Sequence, residues 1–408
     1  MKLFLHAHAT HPDGKTALAL AAAQIEAQRV RADVVGQPTI GWLYLTDHLG
    51  GQTESLLADV QRRWPGTAWI GAVGVGISGN GVEYFDEPAV SLMLGDIPRE
   101  YFKVFSGIRP LGTFDVATAQ VHADPNTSDL SELIGEMADR TSTGYLFGGL
   151  ASARADVPPG ECWPARCAHI ADGVFEGGLS GVAFSADVAM VSRVTQGCQP
   201  VGPVRHVTAS DRNVVLTLDD EPALDCLLRD MDINDREPRE ALPRLRQTLV
   251  GLSDSQDNAL SRAGQFGNDT RVRHLVGLDP ARNGIAIGDV APVGTQLAFC
   301  SRNTIAARRD LVRICSEIRE ELAPEALSME TALALKGTGL EHAPQRIAGA
   351  VYVSCAGRGG GHFGAPSAEL AIVRHALGDV PLVGFFASGE IARHHLYGYT
   401  GVLTVFTA

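Results

Sequence analysis

GAVYVSCAGR (349–358), a helix-like segment with Leu370, Val373 and Leu377 on one face, PLVGFFASGE (381–390) and TGVLTVF (400–406) close the chain and decide its fold. The flanking runs are short and rich in Val and Phe, as strands are, whereas the middle segment keeps the i, i+3, i+7 spacing of an amphipathic helix. Ser367 stands where an N-cap is expected and Gly378 just beyond the last turn. The order is therefore strand, helix, strand, strand. It occurs twice earlier. The first copy has TIGWLYLT (39–46), a helix near 52–63, WIGAVGVGISGNG (69–81) and AVSLMLG (89–95). The second has FDVATAQV (114–121), a helix with Leu130, Leu133, Ile134 and Met137 on one face, YLFGGLAS (145–152) and LSGVAFS (179–185). Three such copies predict an α/β protein of α+β character, with mixed sheets flanked by helices. No helix separates the last two strands of a copy, so some antiparallel pairing is expected. The last strand, 402–406, is expected to be integral to the fold.

Between the second and third copies, NVVLTLDDEPALDCLLRDM (213–231) reads as a strand leading into a helix with Leu224, Leu227, Leu228 and Met231 in one stripe. A polar stretch over 232–268 reads as loops and exposed helix. Leu311, Ile314, Cys315, Ile318 and Leu322 form a further helical stripe. That helix has Arg308 and Arg309 early and Glu320 and Glu321 late, against its macrodipole, so packing must hold it. The composition changes near residue 215, which divides the chain into lobes 1–215 and 216–408.

At 408 residues the chain is long enough for two domains at roughly 100 to 200 residues each. Its 34 Lys and Arg against 47 Asp and Glu leave a net charge of −13, which argues against nucleic acid or a membrane surface as partner. A small-molecule ligand is the expected partner. The opening MKLFLHAHATH lacks the apolar core of a secretion signal, and the seven cysteines do not form a disulfide framework, so a cytoplasmic location is expected.

Several clusters carry possible chemistry. His6 and His8 lie on one face of a strand with His11 just beyond, the residue type that binds zinc and the pattern that opens some metal-dependent phosphoesterases. Further ligands are scattered, with His122 and Asp124 among them, and the set reads as incomplete. Cys162, Cys167 and His169 lie close together but lack the second pair of a zinc ribbon. No metal and no cofactor are expected at either. Cys355, followed by Arg358 and His362, reads either as a nucleophile with His362 as base or as a small buried hydrophobe. A ligand pocket is also expected at the strand ends of the third copy, formed by Cys355, Arg358, Ser388, Gly389 and Glu390. Arg358 would take a carboxylate and Glu390 an ammonium, while Gly359, Gly360 and Gly361 offer main-chain contact and Gly148 and Gly149 a wall between lobes. The alternative is that Arg358 and Glu390 pair with each other or face solvent.

YLFGGLAS, ADGVFEGGLSGVAF, VTQGCQPVGPVRHVT, NVVLTLDDEPALDCL, SCAGRGGGHFG and PLVGFFASGEI, in that order, resemble the landmarks of FIST proteins, a FIST N domain followed by a FIST C domain. One departure is Gln196, where relatives commonly have His. The resemblance implies a sensory protein of signal transduction that binds a small ligand, an amino acid or similar polar metabolite, with a signalling protein as a possible partner. The alternatives from the residues are an enzyme with Cys355 as nucleophile and a metal-dependent hydrolase built on His6, His8 and His11.

Overall fold

The computed structural model describes residues 4–31, 37–154, 167–233, 245, 247–253, 270–323 and 346–408. Among them the helices are α1 (Gly14–Arg31), α2 (Thr53–Arg63), α3 (Leu130–Asp139), α4 (Ala223–Asp230), α5 (Thr304–Leu322) and α6 (Ala368–Leu377). The protein is of the α/β class, and its sheets mix parallel and antiparallel strands.

The three copies share one pairing rule. Ile40–Thr46 runs parallel to Ala68–Gly74 and antiparallel to Ala89–Gly95. Thr118–Ala123 does the same with Tyr145–Leu150 and Leu179–Phe184, and Ile347–Cys355 with Leu382–Ala387 and Thr400–Thr407. The last strand of a copy therefore pairs with the first strand, across from the second. This is possible because the helical crossover sets the second strand on one side of the first and leaves the opposite ladder edge open.

A glycine recurs at the same register in each parallel pair. Gly71 faces Leu43, Gly148 faces Val121 and Gly384 faces Tyr352. A Cβ there would sit 1.8, 1.9 and 1.7 Å from the neighbour's carbonyl oxygen, so no larger residue fits the closely set strands.

The copies are joined by exchange of short strands. Ile77–Gly79, which follows the second strand of copy one, pairs with Leu382–Ala387 of copy three. Glu390–Arg393, which follows the second strand of copy three, pairs with Tyr145–Leu150 of copy two. His169–Ala171, which follows copy two's second strand, pairs with Ala68–Gly74 of copy one, and the cycle closes. Where the sheets meet, Trp42 Nε1 donates to Gln120 Oε1 at 2.8 Å, Gln120 Nε2 donates to the Tyr44 hydroxyl at 2.8 Å, and that hydroxyl lies 3.2 Å from His122 Nε2. All four side chains are buried, and Phe385 stacks on Tyr44 with ring centroids 5.3 Å apart. Burial, followed by the nearby His169, lowers His122 to about 3, so it is neutral at physiological pH.

Helix α1, absent from the sequence reading, covers the strand Leu5–Thr10. Gln28 Oε1 accepts from His6 N at 3.2 Å and Gln28 Nε2 donates to His6 O at 2.6 Å, while Gln24 Nε2 reaches His8 O at 3.0 Å. The two glutamines satisfy the strand edge as a neighbouring strand would. The expected stripe of α5 is buried at Leu311, Ile314, Cys315, Ile318 and Leu322. Of its two late acids, Glu321 pairs with Arg193, which also holds Glu317.

The compact units are not two sequential halves. One comprises Met1–Val194, Leu311–His395 and Gly401–Ala408, the other Thr195–Asp310 and Leu396–Thr400. Residue 215 lies inside the strand Val214–Leu218 of the second unit. That unit is a closed antiparallel barrel whose strands run Gln296–Arg302, Arg205–Asp211, Val214–Leu218, Gly284–Ile287, Arg271–Asp279 and Leu249–Ser253, the last pairing back to the first. Val207, Val215, Val250, Leu252, Ile285, Leu297 and Phe299 form its core, together with Leu224 and Leu227 of α4. The stretch 232–268 thus contains a buried strand, Leu249–Ser253; most of the rest lies outside the described residues.

Replacing Gly384 or Gly148 with Ala is expected to cost about 2–4 kcal/mol or to prevent folding, through forced overpacking of backbone against backbone. The exposed Gly361, with nothing within 4 Å of a Cβ, is the control and should change little. Urea denaturation of the three variants checks this. Strand Thr400–Thr407 is buried along its length, so truncation before residue 400 should abolish soluble expression.

Candidate functional site

The C-terminal ends of the three second strands are laced together in the first unit. Ser152 N donates to Val73 O at 3.1 Å, Ser152 Oγ to Phe386 O at 2.5 Å, and Val75 N to Ser152 Oγ at 2.9 Å. Phe386 N reaches Gly76 O at 2.9 Å. Leu150 N donates to Gly389 O at 2.8 Å, and Ser388 donates from N to Leu150 O and from Oγ to Ala151 O. Parallel strands end here with their loops on one side, the usual place for a ligand in such sheets.

At the seam between copies two and three, Cys355 lies opposite Ala387, and Glu390 opposite Gly149. A Cβ on Gly149 would fall 2.8 Å from Val353 Cγ1 and 2.9 Å from Ala387 Cβ, so this glycine lets the two copies close on each other. Ser388 is exposed, Cys355 half-buried and Glu390 buried. The expected group Cys355, Ser388, Gly389, Glu390 and Gly149 is thus assembled from two copies. Gly148 and Gly149 line a seam inside the first unit, and Gly148 is occupied with the close approach to Val121.

Arg358 has another partner. Its Nε and Nη2 donate to Glu369 Oε1 at 2.9 and 2.7 Å, and both side chains are 1% exposed. Tyr352 and Ser354 hydroxyls donate to the same carboxylate, at 2.6 Å and at 3.1 to 3.2 Å, and the guanidinium lies over Phe363 at 5.1 Å. A buried cation needs a close counter-charge, and Glu369 on α6 supplies it. The guanidinium therefore serves the fold at this position, and the expected reading of a ligand carboxylate by Arg358 is replaced by an internal ion pair. Ser367 also departs from its expected role. It is left-handed, with φ 60°, makes no side-chain cap, and accepts Glu83 N at Oγ, 3.0 Å away. Gly378 does terminate α6, its N–H reaching Arg374 O at 2.8 Å.

A second charged group borders the strand ends. Asp47, just past Ile40–Thr46, accepts from Arg154 N at 2.9 Å and Nη1 at 2.8 Å, with His48 Nδ1 at 3.3 Å. Arg154 Nη2 reaches the carbonyls of Val75 and Phe85. Burial raises the Asp47 carboxyl, and Arg154 and His48 offset this. Neither Asp47 nor Arg154 stood out in the sequence, because neither sits in a repeated pattern.

The histidine clusters are engaged elsewhere. His8 Nδ1 lies 2.6 Å from the Tyr84 hydroxyl, and His11 Nδ1 accepts Asp13 N at 3.0 Å. Burial, then His8, pushes His6 down to about 4. His169 spends both ring nitrogens, on Ser180 Oγ at 2.6 Å and Gly177 O at 3.2 Å. Cys167 is half-buried with its thiol pushed up by burial and then by Asp124, and Cys162 lies outside the described residues. Among the described residues no three His, Cys, Asp or Glu are grouped to hold a metal ion. His362 packs edge-on against Phe363, and Arg358 N donates to Cys355 O in the turn between them. Gln196 belongs to the second unit, donating from Nε2 to Thr270 O at 2.8 Å.

The sequence profile of the FIST N domain matches residues 39–221 and that of the FIST C domain residues 223–393. The chain belongs to the FIST family. FIST domains are associated with sensory and signal-transduction roles. The junction of the two matches, at the start of α4, falls within the barrel unit, so each FIST domain contributes strands to it. Similar proteins include the uncharacterized protein Rv0628c of Mycobacterium tuberculosis, 29% identical over 97% of both chains. The uncharacterized protein Mb0898c of Mycobacterium bovis is 27% identical, again over 97% of both chains.

Changing Glu369 to Gln should cost about 3–5 kcal/mol, because it leaves the buried Arg358 charge without its counter-ion. Replacing both residues, as Arg358→Met with Glu369→Leu, should recover much of that loss. Chemical denaturation of the single and double variants measures the difference.

Proposed function

We propose that this FIST protein senses a small polar metabolite, an amino acid or close analogue, at the seam where the strand ends of copies two and three meet. The observation that carries the reading is the assembly of Cys355, Ser388, Gly389, Glu390 and Gly149 from two copies at strand ends. There, an exposed hydroxyl and a half-buried thiol flank a buried carboxylate. Glu390 is the group for the ligand ammonium, and the exposed Ser388 hydroxyl serves its polar end. No covalent step is needed for this role. A signalling protein that reads the liganded state completes the function. The free thiols at Cys167, Cys198, Cys226, Cys300, Cys315 and Cys355 suit the reducing cytoplasm. No described helix is long and apolar enough to cross a membrane.

Thermal-shift screening of the purified chain against amino acids and small carboxylates should give a selective rise in melting temperature, since a ligand stabilises the state that binds it. Changing Glu390 to Gln should then weaken that ligand by roughly 1.5–3 kcal/mol in calorimetry. Unchanged affinity in a folded Glu390→Gln variant would exclude this seam as the site.

A further inference from the structure

The last strands of the three copies end around one cavity in the first unit. Each is antiparallel to the first strand of its copy, so Gly95 lies beside Ile40, Phe184 beside Thr118 and Thr407 beside Ile347, all where the first strands begin. This is the end of the sheets opposite the seam. The cavity there holds about 520 Å³, within the range of small-molecule sites. Asp96, Ile97, Pro98 and Tyr101, which follow copy one's last strand, line it from one copy. Asp187 and Val188, which follow copy two's, line it from the second, and Thr407 belongs to the third.

A short pattern recurs in two of these segments. Asp96-Ile97 and Asp187-Val188 each set an exposed aspartate before a buried aliphatic residue. Ile97 is pinned by Thr39, whose Oγ1 accepts Ile97 N at 2.9 Å and donates to Ile97 O at 2.6 Å. Val188 N donates to Ser185 O at 3.2 Å, and Thr407 N donates to Ala189 O at 3.0 Å, which ties the second turn to copy three. Tyr101 is bound likewise, its N–H on Pro98 O at 2.9 Å and its carbonyl accepting Ser185 N at 2.9 Å. Both carboxylates are therefore carried on backbone that is fixed before a ligand arrives.

The lining has the chemistry of a receptor for an organic cation. Asp187 accepts the Ser185 hydroxyl at 3.0 Å, and neither aspartate forms an ion pair among the described residues. No described Lys, Arg or His lines the cavity. Two like charges on one space repel, and a cation between them removes that repulsion. The remaining lining is apolar at Ile97, Pro98 and Val188, with the half-buried Tyr101 ring beside them. An aromatic face attracts an ammonium group, and an aliphatic stem gains by covering apolar surface. Two carboxylates among such residues are a poor ligand set for a divalent metal, which takes more oxygen ligands. The net charge of −13 draws cations toward the chain.

We propose that this cavity binds a small aliphatic diamine or polyamine, its ammonium groups on Asp96 and Asp187 and its methylene chain on Ile97, Pro98 and Val188. It is a second site, and it does not rest on the reading of the seam.

Calorimetry of the full chain with cadaverine, in a buffer free of amines, tests this. Saturable binding is expected at millimolar concentration or below, weakening as salt is raised, because the contacts are with exposed charges. Asp96→Asn and Asp187→Asn should each weaken it about fivefold, and the double variant by more than about tenfold. Both residues are exposed, so the variants keep the fold, which their melting temperatures check. Pentanol and magnesium chloride are the comparators on the unaltered chain. Pentanol bound as well as cadaverine reduces the cavity to an apolar cleft, and magnesium displacing cadaverine at equal concentration reduces it to loose counter-ion attraction; either overturns the proposal. Absence of saturable binding, or unchanged affinity in the folded double variant, overturns it too. Loss of cadaverine in Glu390→Gln, with affinity kept in the aspartate variants, places the amine at the seam and rules out this cavity.

Discussion

Every sheet of the first unit is completed by a strand from another copy. The second strand of each copy carries a glycine that allows close parallel pairing on one side, and its other edge is covered by a short strand from the next copy. An uncovered edge would leave a row of unpaired backbone groups, so no copy forms a finished sheet by itself. The buried chain from Trp42 through Gln120 and Tyr44 to His122 lies where the copies meet, and its hydrogen bonds also come from two copies. These directional bonds tie the sheets in one arrangement, while the buried His122 Nδ1 has no hydrogen-bond partner among the described residues.

The repetition also shows how one of three related seams comes to differ chemically from the other two. Register places Ile77, Glu390 and His169 at equivalent points of the three exchanged strands. It likewise places Thr46 and Cys355 at equivalent ends of two first strands, with Asp124 just past the end of the third. The backbone is shared, and the side chains differ. An apolar residue stands at the first position, and a histidine with both nitrogens spent at the third. A buried carboxylate beside a half-buried thiol occurs at the seam of Glu390 and Cys355. The chemical distinction is carried by substitution on a repeated frame.

The three copies, their helices and the buried stripe of α5 were legible because their apolar periodicity is strong and local. The exchanged strands were not, since Ile77–Gly79 is three residues long and finds its partner some three hundred residues away. The barrel escaped for a different reason: RHVTASD fully buries only Val207, and RVRHLVGLD fully buries only Val272 while exposing His274, Val276 and Leu278, so neither strand presents a clean apolar face in the sequence. The position of Cys355, Ser388, Gly389, Glu390 and Gly149 at strand ends was legible because strand ends in a repeat fall at the same place. The fate of Arg358 was not. Its partner Glu369 lies on a helix face that a sequence reader assigns to solvent, and only the burial of Tyr352 and Ser354 beside it turns that face inward.

The barrel interrupts the ring of copies in the chain, and this has a consequence during synthesis. Copies one and two leave the ribosome first, yet the exchanged strand of copy one and the edge of copy two both await partners made last. The barrel emerges in between, with nearly all its strands contiguous over Thr195–Asp310. It can close while the older half is still unfinished. The nascent protein thus holds open sheet edges until its final sixty or so residues arrive, the span in which chaperone protection matters most.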